Sequence, residues 1–280
     1  MKAWELHKHM QEVGKWVNWK KTVDTFLFGD PDSNVKGIAV SWMPTFTNLK
    51  KALEADCNLF ITHEPLYAVT VDDKGKINGG SPSVDIHLRP LLGVTFNKDD
   101  VWVEKYEWLK KAGMIVYRCH DFWDDYPDIG IHGAWADWLG FKTEPVASKR
   151  FYEVHEVENV TVNELARKIL SRVKHLGQEV VHVIGDKEKK VSRIAVGTGA
   201  ITNYREMNSL GADVLLVTDD GTRLWESGQW SLDSGVPIIL VNHSTSEEPG
   251  MKTLTLYLQK QFPDVPVKHI ATGCIYRTIK

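Results

Sequence analysis

Three histidines stand where short apolar runs give way to polar chain, and each has carboxylates just beyond it. Phe60-Ile-Thr-His63 runs into Glu64-Pro65. Ile115-Val-Tyr-Arg-Cys-His120 is followed by Asp121, Asp124 and Asp125, and Ile239-Leu-Val-Asn-His243 leads to Glu247 and Glu248. Imidazole and carboxylate together suit a divalent transition metal, or two ions bridged by a carboxylate and hydroxide. The spacing His243-x-x-x-Glu247 adds a local argument: a helix starting near Ser244 turns the carboxylate back toward the imidazole after one turn. A lone histidine at a strand end is ordinarily just a hydrogen-bonded residue. The triple coincidence of position and partner sets these three apart from the rest of the chain's 11 histidines.

For the three to meet, the apolar runs must be strands ending on the same side of a sheet, because ligands of α/β sheets bind outside the strands' carboxyl ends. The chain alternates accordingly. Gly37–Trp42 is β-rich, and Thr47–Ala55 places Leu49, Ala52 and Leu53 at helical spacing behind a threonine cap. Asn58–Thr62 is a buried-strand run, a helix over about 100–113 leads into Met114–Tyr117, and Thr161-Val-Asn-Glu164 is a capping box opening a helix to about Lys174. The expected class is α/β with mixed, largely parallel sheets flanked by helices. Ile38-Ala-Val40 recurs as Ile194-Ala-Val196, and Thr62 recurs as Thr218, both 156 residues on. That repeat predicts two similar α/β lobes, residues 1–130 plus 237–280 and residues 131–236. Asp72–Pro82, rich in glycine and polar residues, reads as a surface turn.

Composition narrows the function classes. The chain has 280 residues, 42% hydrophobic and 25% charged, with a net charge of −3, so neither a disordered chain nor a basic nucleic-acid binder is expected. No apolar run approaches the roughly 18–20 residues that span a bilayer, and the first residues lack the apolar core of a signal peptide. A cytoplasmic protein is expected. Three widely spaced cysteines form neither a disulfide framework nor a thiolate metal site. There is no Gly-x-x-x-x-Gly-Lys-Ser/Thr loop and no Gly-x-Ser-x-Gly elbow; Gly197-Thr-Gly199 lacks the third glycine of a dinucleotide fingerprint and reads as a tight turn. The 11 tryptophans, several at helical spacing, suit core packing or a subunit interface.

With those residues in view, the chain resembles the Nif-three-like dinuclear-metal family, also described as GTP cyclohydrolase I type 2-like. The family's Thr-His-His-Pro is similar to Thr62-His63-Glu64-Pro65, and its His-Thr-Asn-Leu-Asp to His120-Asp121-Phe122-Trp123-Asp124. A later glycine and leucine turn resembles Trp138-Leu139-Gly140, and a C-terminal Gly-His-x-x-x-Glu resembles Asn242-His243-Ser-Thr-Ser-Glu247. The segments keep the family's order along nearly the whole chain. The resemblance implies metal ligands at His63, Glu64, Asp124, His243 and Glu247, with Glu247 bridging and His120 beside the site. It also implies two divalent ions held between the lobes and a hexameric ring of three dimers; an oxygen donor at Glu64 favours Zn, Fe or Mn without deciding among them. Two departures matter. Glu64 replaces the second histidine of the family's pair, and Thr218-Asp-Asp-Gly221 stands where relatives carry a segment followed by a histidine.

The resulting expectation is a metal-dependent hydrolase acting on a small polar, nucleotide-like substrate, with His120 as general acid or base. The alternatives are a non-enzymatic metal-binding or regulatory scaffold, and a degenerate member that holds no metal.

Overall fold

Branched and aromatic side chains fill short runs bounded by polar turns, and in the computed structural model these runs become the strands of two sheets. The structure describes residues 1–84, 95–200 and 202–279. It divides into two units: Met1–Tyr126 with Met251–Ala271, and Pro127–Gly250 with Thr272–Lys280.

The first unit is built on strands β1 (Phe26–Phe28), β2 (Ile38–Ser41), β3 (Leu59–Thr62), β6 (Ile115–Arg118) and β13 (Val267–His269), in the order β1-β6-β3-β2-β13. All pairings are parallel except β1 with β6. Every residue of β2 and β3 is buried, as expected of parallel strands covered on both faces. Leu49 and Ala52 of helix Phe46–Glu54 and Leu109 of helix Val101–Ala112 pack on Ala39, Phe60 and Val116. The first of these helices is capped by Thr45, whose hydroxyl accepts from the Asn48 amide, not by a residue within the predicted helical run. The second begins at the Asp100 cap and stops at Gly113, which adopts a left-handed conformation.

The Asp72–Pro82 stretch departs from the expected loop. Strands β4 (Val69–Val71) and β5 (Ile77–Gly80) form a hairpin there, closed by Asp72, whose carboxylate accepts from the Lys74 and Lys76 amides. Glycines hid this strand from a propensity argument, yet packing requires one of them: a Cβ on Gly80 would lie 2.6 Å from the Ala68 carbonyl oxygen.

The second unit carries β7 (Ala147–Lys149), β8 (Tyr152–Thr161), β9 (His182–Ile184), β10 (Lys190–Val196), β11 (Val214–Thr218) and β12 (Ile238–Val241). Their order is β7-β8-β10-β11-β12-β9. Only the centre, β10-β11-β12, is parallel; the margins pair antiparallel. Helices Ile131–Leu139 and Val162–Val173 cover one face through Trp135, Leu165 and Ile169 against Ile194, Val214 and Val241. The Thr161 capping box is present, with Glu164 returning to the Thr161 amide. Tyr204 and Met207 of helix Tyr204–Ser209 pack on the other face against Ala195, Leu215 and Val217.

The repeat corresponds to two parallel strand pairs, β2 with β3 and β10 with β11. The expectation that residues 237–280 all join the first lobe needs correction. β12 pairs with β11, its neighbour across a short helical connection, and only β13 enters the first sheet. Among the described residues no helix is long and apolar enough to cross a membrane.

Candidate metal centre

Parallel register places the chemistry. In the first unit β3 and β6 lie side by side with Thr62 opposite Arg118, so the chain leaving each strand delivers its histidine to the same edge. The His63 and His120 rings stack with centroids 4.4 Å apart and planes 11° from parallel. His63 is 1% exposed, and its Nδ1 lies 3.1 Å from the Cys119 carbonyl oxygen. A carbonyl only accepts, so Nδ1 carries the proton and Nε2 presents a lone pair when the ring is neutral. That lone pair faces Asp124 Oδ1 at 3.4 Å. Two acceptors opposed in a buried setting call for a cation between them, a proton or a metal ion. His120 Nδ1 lies 3.1 Å from both Asp121 Oδ1 and Asp124 Oδ2. Ligand atoms of His63, His120 and Asp124 all fall within 4.8 Å of one another, so these three could hold an ion. His120, expected beside the site, is thus a member of the group.

Electrostatics follow from that crowding. Burial opposes the charged form of His120, but the Asp124 charge and the Asp121 hydrogen bond outweigh it and push the pKa up to about 9. The same hydrogen bond from His120 draws Asp121 down to about 2. Glu64 is only partly buried, and its carboxylate lies 3.6 Å from the Arg118 guanidinium, whose Nε donates to the His63 carbonyl. The Glu64 charge therefore meets a fixed cation of the neighbouring strand.

The second cluster uses the same device. β11 and β12 run in parallel with Thr218 opposite Val241, which sets Asp219 and Asp220 beside Asn242 and His243. Helix His243–Gln261 begins at the histidine itself, and Glu247 Oε1 lies 3.0 Å from His243 Nε2. Asp220 Oδ2 lies 2.9 Å from Nδ1 of the same ring. A neutral imidazole has one N–H and cannot satisfy two carboxylates. With Nδ1–H donating to Asp220, Nε2 is left for a metal, the carboxylate–histidine–metal arrangement. Glu247 is 2% exposed and also accepts from Thr198 Oγ1. Asp219 holds the strand end in place, accepting from the His243 amide at 2.9 Å and from Asn242 Nδ2 at 2.7 Å. The donor set of the first cluster could hold a divalent ion.

Four contributors escaped sequence reasoning. Asp219 and Asp220 stood out only as a departure from a family motif, and Arg118 was read as strand. Asp24 lies in a stretch with no periodic signal; it is 2% exposed and accepts the amides of His120, Asp121 and Phe122, capping the turn Asp121–Asp124. Burial pushes its carboxyl up to about 6 against the pull of those donors. Asp24→Ala is expected to cost about 1–3 kcal/mol in urea denaturation, since it strands buried amides, and Asp24→Asn distinctly less. Equal midpoints for wild type and Asp24→Ala would remove Asp24 from this role.

A protein of two α/β units is also what the solved structures of similar fold show. Residues 94–275 match the model of Duf34/NIF3 (NGG1p interacting factor 3), and the chain belongs to that family. The GTP cyclohydrolase 1 type 2 homolog of Clostridium acetobutylicum is 25% identical over 83% of this chain and 80% of its own length. The fold is similar to that of Staphylococcus aureus protein SA1388, with a TM-score of 0.75, 20% identity and coverage of 100% and 99% of the two chains. It is likewise similar to a Bacillus cereus protein related to NIF3, with a TM-score of 0.74, 13% identity and the same coverage.

Proposed function

We propose that the chain is a metal-dependent hydrolase-like protein with a dinuclear divalent centre to which His63, Glu64, Asp124, His243 and Glu247 contribute. The observation that carries this reading is the double carboxylate contact of His243, 2.9 Å at Nδ1 and 3.0 Å at Nε2, which a bound cation resolves. When bound, such ions supply Lewis acidity and a lowered pKa for water. The chain's own residues orient and move protons: Cys119 and Asp220 fix the tautomers of His63 and His243, and His120 holds a proton between Asp121 and Asp124. His120 is the proposed general acid or base, which implies a loss of roughly 10²–10⁴-fold in turnover for His120→Gln when rates are compared at matched metal content. The substrate proposed is small, polar and nucleotide-like, in keeping with the name of the clostridial relative. A cytoplasmic homohexamer is part of the same proposal; light scattering that gives the 31.8 kDa monomer would remove that part.

The near-complete burial of His243 and Glu247, 4% and 2% exposed, favours a second reading, a closed non-catalytic metal site in a regulatory scaffold. Metal analysis of protein purified without chelator, followed by a hydrolysis screen of nucleotides and phosphate esters, separates the two. Stoichiometric metal with no turnover selects the scaffold, and absence of metal overturns both. Metal at 100 times its dissociation constant is expected to stabilise the fold by about 2.7 kcal/mol, read as a rise in Tm on titration into chelator-treated protein.

A further inference from the structure

The second unit contains a cavity of about 300 Å³ that the metal clusters do not use. It lies at the carboxyl end of β12, where Val180, Leu240, Val241, Cys274 and Tyr276 line it. Several polar residues share the wall, but their polar atoms are engaged within the protein. Gln178 accepts from the Asn242 amide and donates to the Val180 carbonyl. Asn242 accepts from Ser244 and the Ile275 amide while donating to Asp219. Asp219 in turn bonds the Tyr276 hydroxyl. What the cavity offers an occupant is therefore mainly carbon.

The mouth is different. Arg277 lies on it, its Nη1 pinned by the Cys274 carbonyl at 2.7 Å and the Tyr276 carbonyl at 3.0 Å. Two backbone acceptors on one nitrogen set the direction of the planar guanidinium and engage only part of its five-donor fork. His182 and Glu179, both solvent-exposed, also line the cavity, and the second lining carboxylate, Asp219, is engaged by Asn242, the His243 amide and Tyr276. The volume sits at the lower end of ligand pockets and suits one or two fused rings.

We propose that this cavity binds a small, flat, largely apolar acid, its rings against Val180, Leu240 and Tyr276 and its carboxylate at Arg277. The occupant would sit against Asp219, the residue that holds the amide of His243, so the site backs onto the second cluster without sharing its histidine or Glu247.

Indole-3-acetate and its uncharged counterpart 3-methylindole test the proposal by calorimetry or saturation-transfer NMR on the full chain. Both are expected to bind saturably, the acid about tenfold tighter because one charge-assisted contact is added. Arg277→Gln should erase that preference while leaving 3-methylindole unchanged. Cys274→Phe, which fills the cavity, should weaken both probes at least about tenfold, and Val180→Phe provides a second filling variant should the first misfold. Absence of saturable binding to the wild-type chain at millimolar probe overturns the site. Binding that survives a folded filling variant overturns its location, and equal affinity for acid and 3-methylindole overturns the acid.

Discussion

His243→Ala is expected to lower divalent-metal affinity at least about 100-fold and to abolish the metal-dependent rise in Tm. The ring stands between Glu247 and Asp220, so its removal deletes a donor and leaves two carboxylates facing a void. Losing an outer partner of a ligating histidine alone costs roughly 10–100-fold in affinity, and Asp220→Asn is expected within that range. The ligand itself should cost more. Metal content after dialysis against a weak competing chelator is the measurement. His243→Ala with wild-type stoichiometry would show that Glu247 and His243 merely pair with each other. Glu64 provides an internal comparison: its carboxylate already meets Arg118 at 3.6 Å, so Glu64→Ala should lose less metal than His243→Ala.

Trp123→Ala is expected to destabilise the chain by about 3–5 kcal/mol, the usual cost of truncating a fully buried tryptophan. Trp123 is 0% exposed and lies within an aromatic cluster, 4.7 Å from the Tyr126 ring and 5.3 Å from Tyr257 by centroids. It belongs to the one-turn helix Asp121–Asp124, so the cavity opens directly behind the carboxylate that faces His63 and His120. Metal affinity should therefore fall with stability, although Trp123 offers no ligand atom. Trp123→Phe should recover part of both losses. A urea midpoint unchanged in Trp123→Ala would mean that Asp24 alone holds this turn.

The imidazoles were legible in the sequence because a strand end is a local event: an apolar run stops, and the next residue's position follows. Glu247 was legible for a related reason, since one helical turn fixes its distance from His243 with no tertiary information. Asp24, Arg118 and Asp220 reach their partners across register or through loops, and no spacing along the chain encodes that. The assignment of β12 failed similarly. Its run, Ile238–Val241, would serve either sheet, and pairing with β11 rather than β2 is decided by the short connection between β11 and β12. The β4–β5 hairpin was missed because its glycines answer to close backbone approach, which outweighs strand propensity.

The five-stranded sheet takes its edge strand β13 from residues 267–269, far downstream of the β2 strand it pairs with. During synthesis, at about 5–20 residues per second, the ribosome spends roughly 10–40 s between finishing β3 and releasing β13. Over that interval β2 presents an unpaired, largely apolar margin in a nascent chain, the kind of edge that recruits foreign strands. The six-stranded sheet has all its strands once Val241 is made, earlier than the five-stranded sheet, although its unit still waits for Thr272–Lys280. A chain truncated before Val267 would keep every histidine and carboxylate of both clusters and still lack the strand that closes its first sheet, making protein quality control, rather than chemistry, the first process to register the loss.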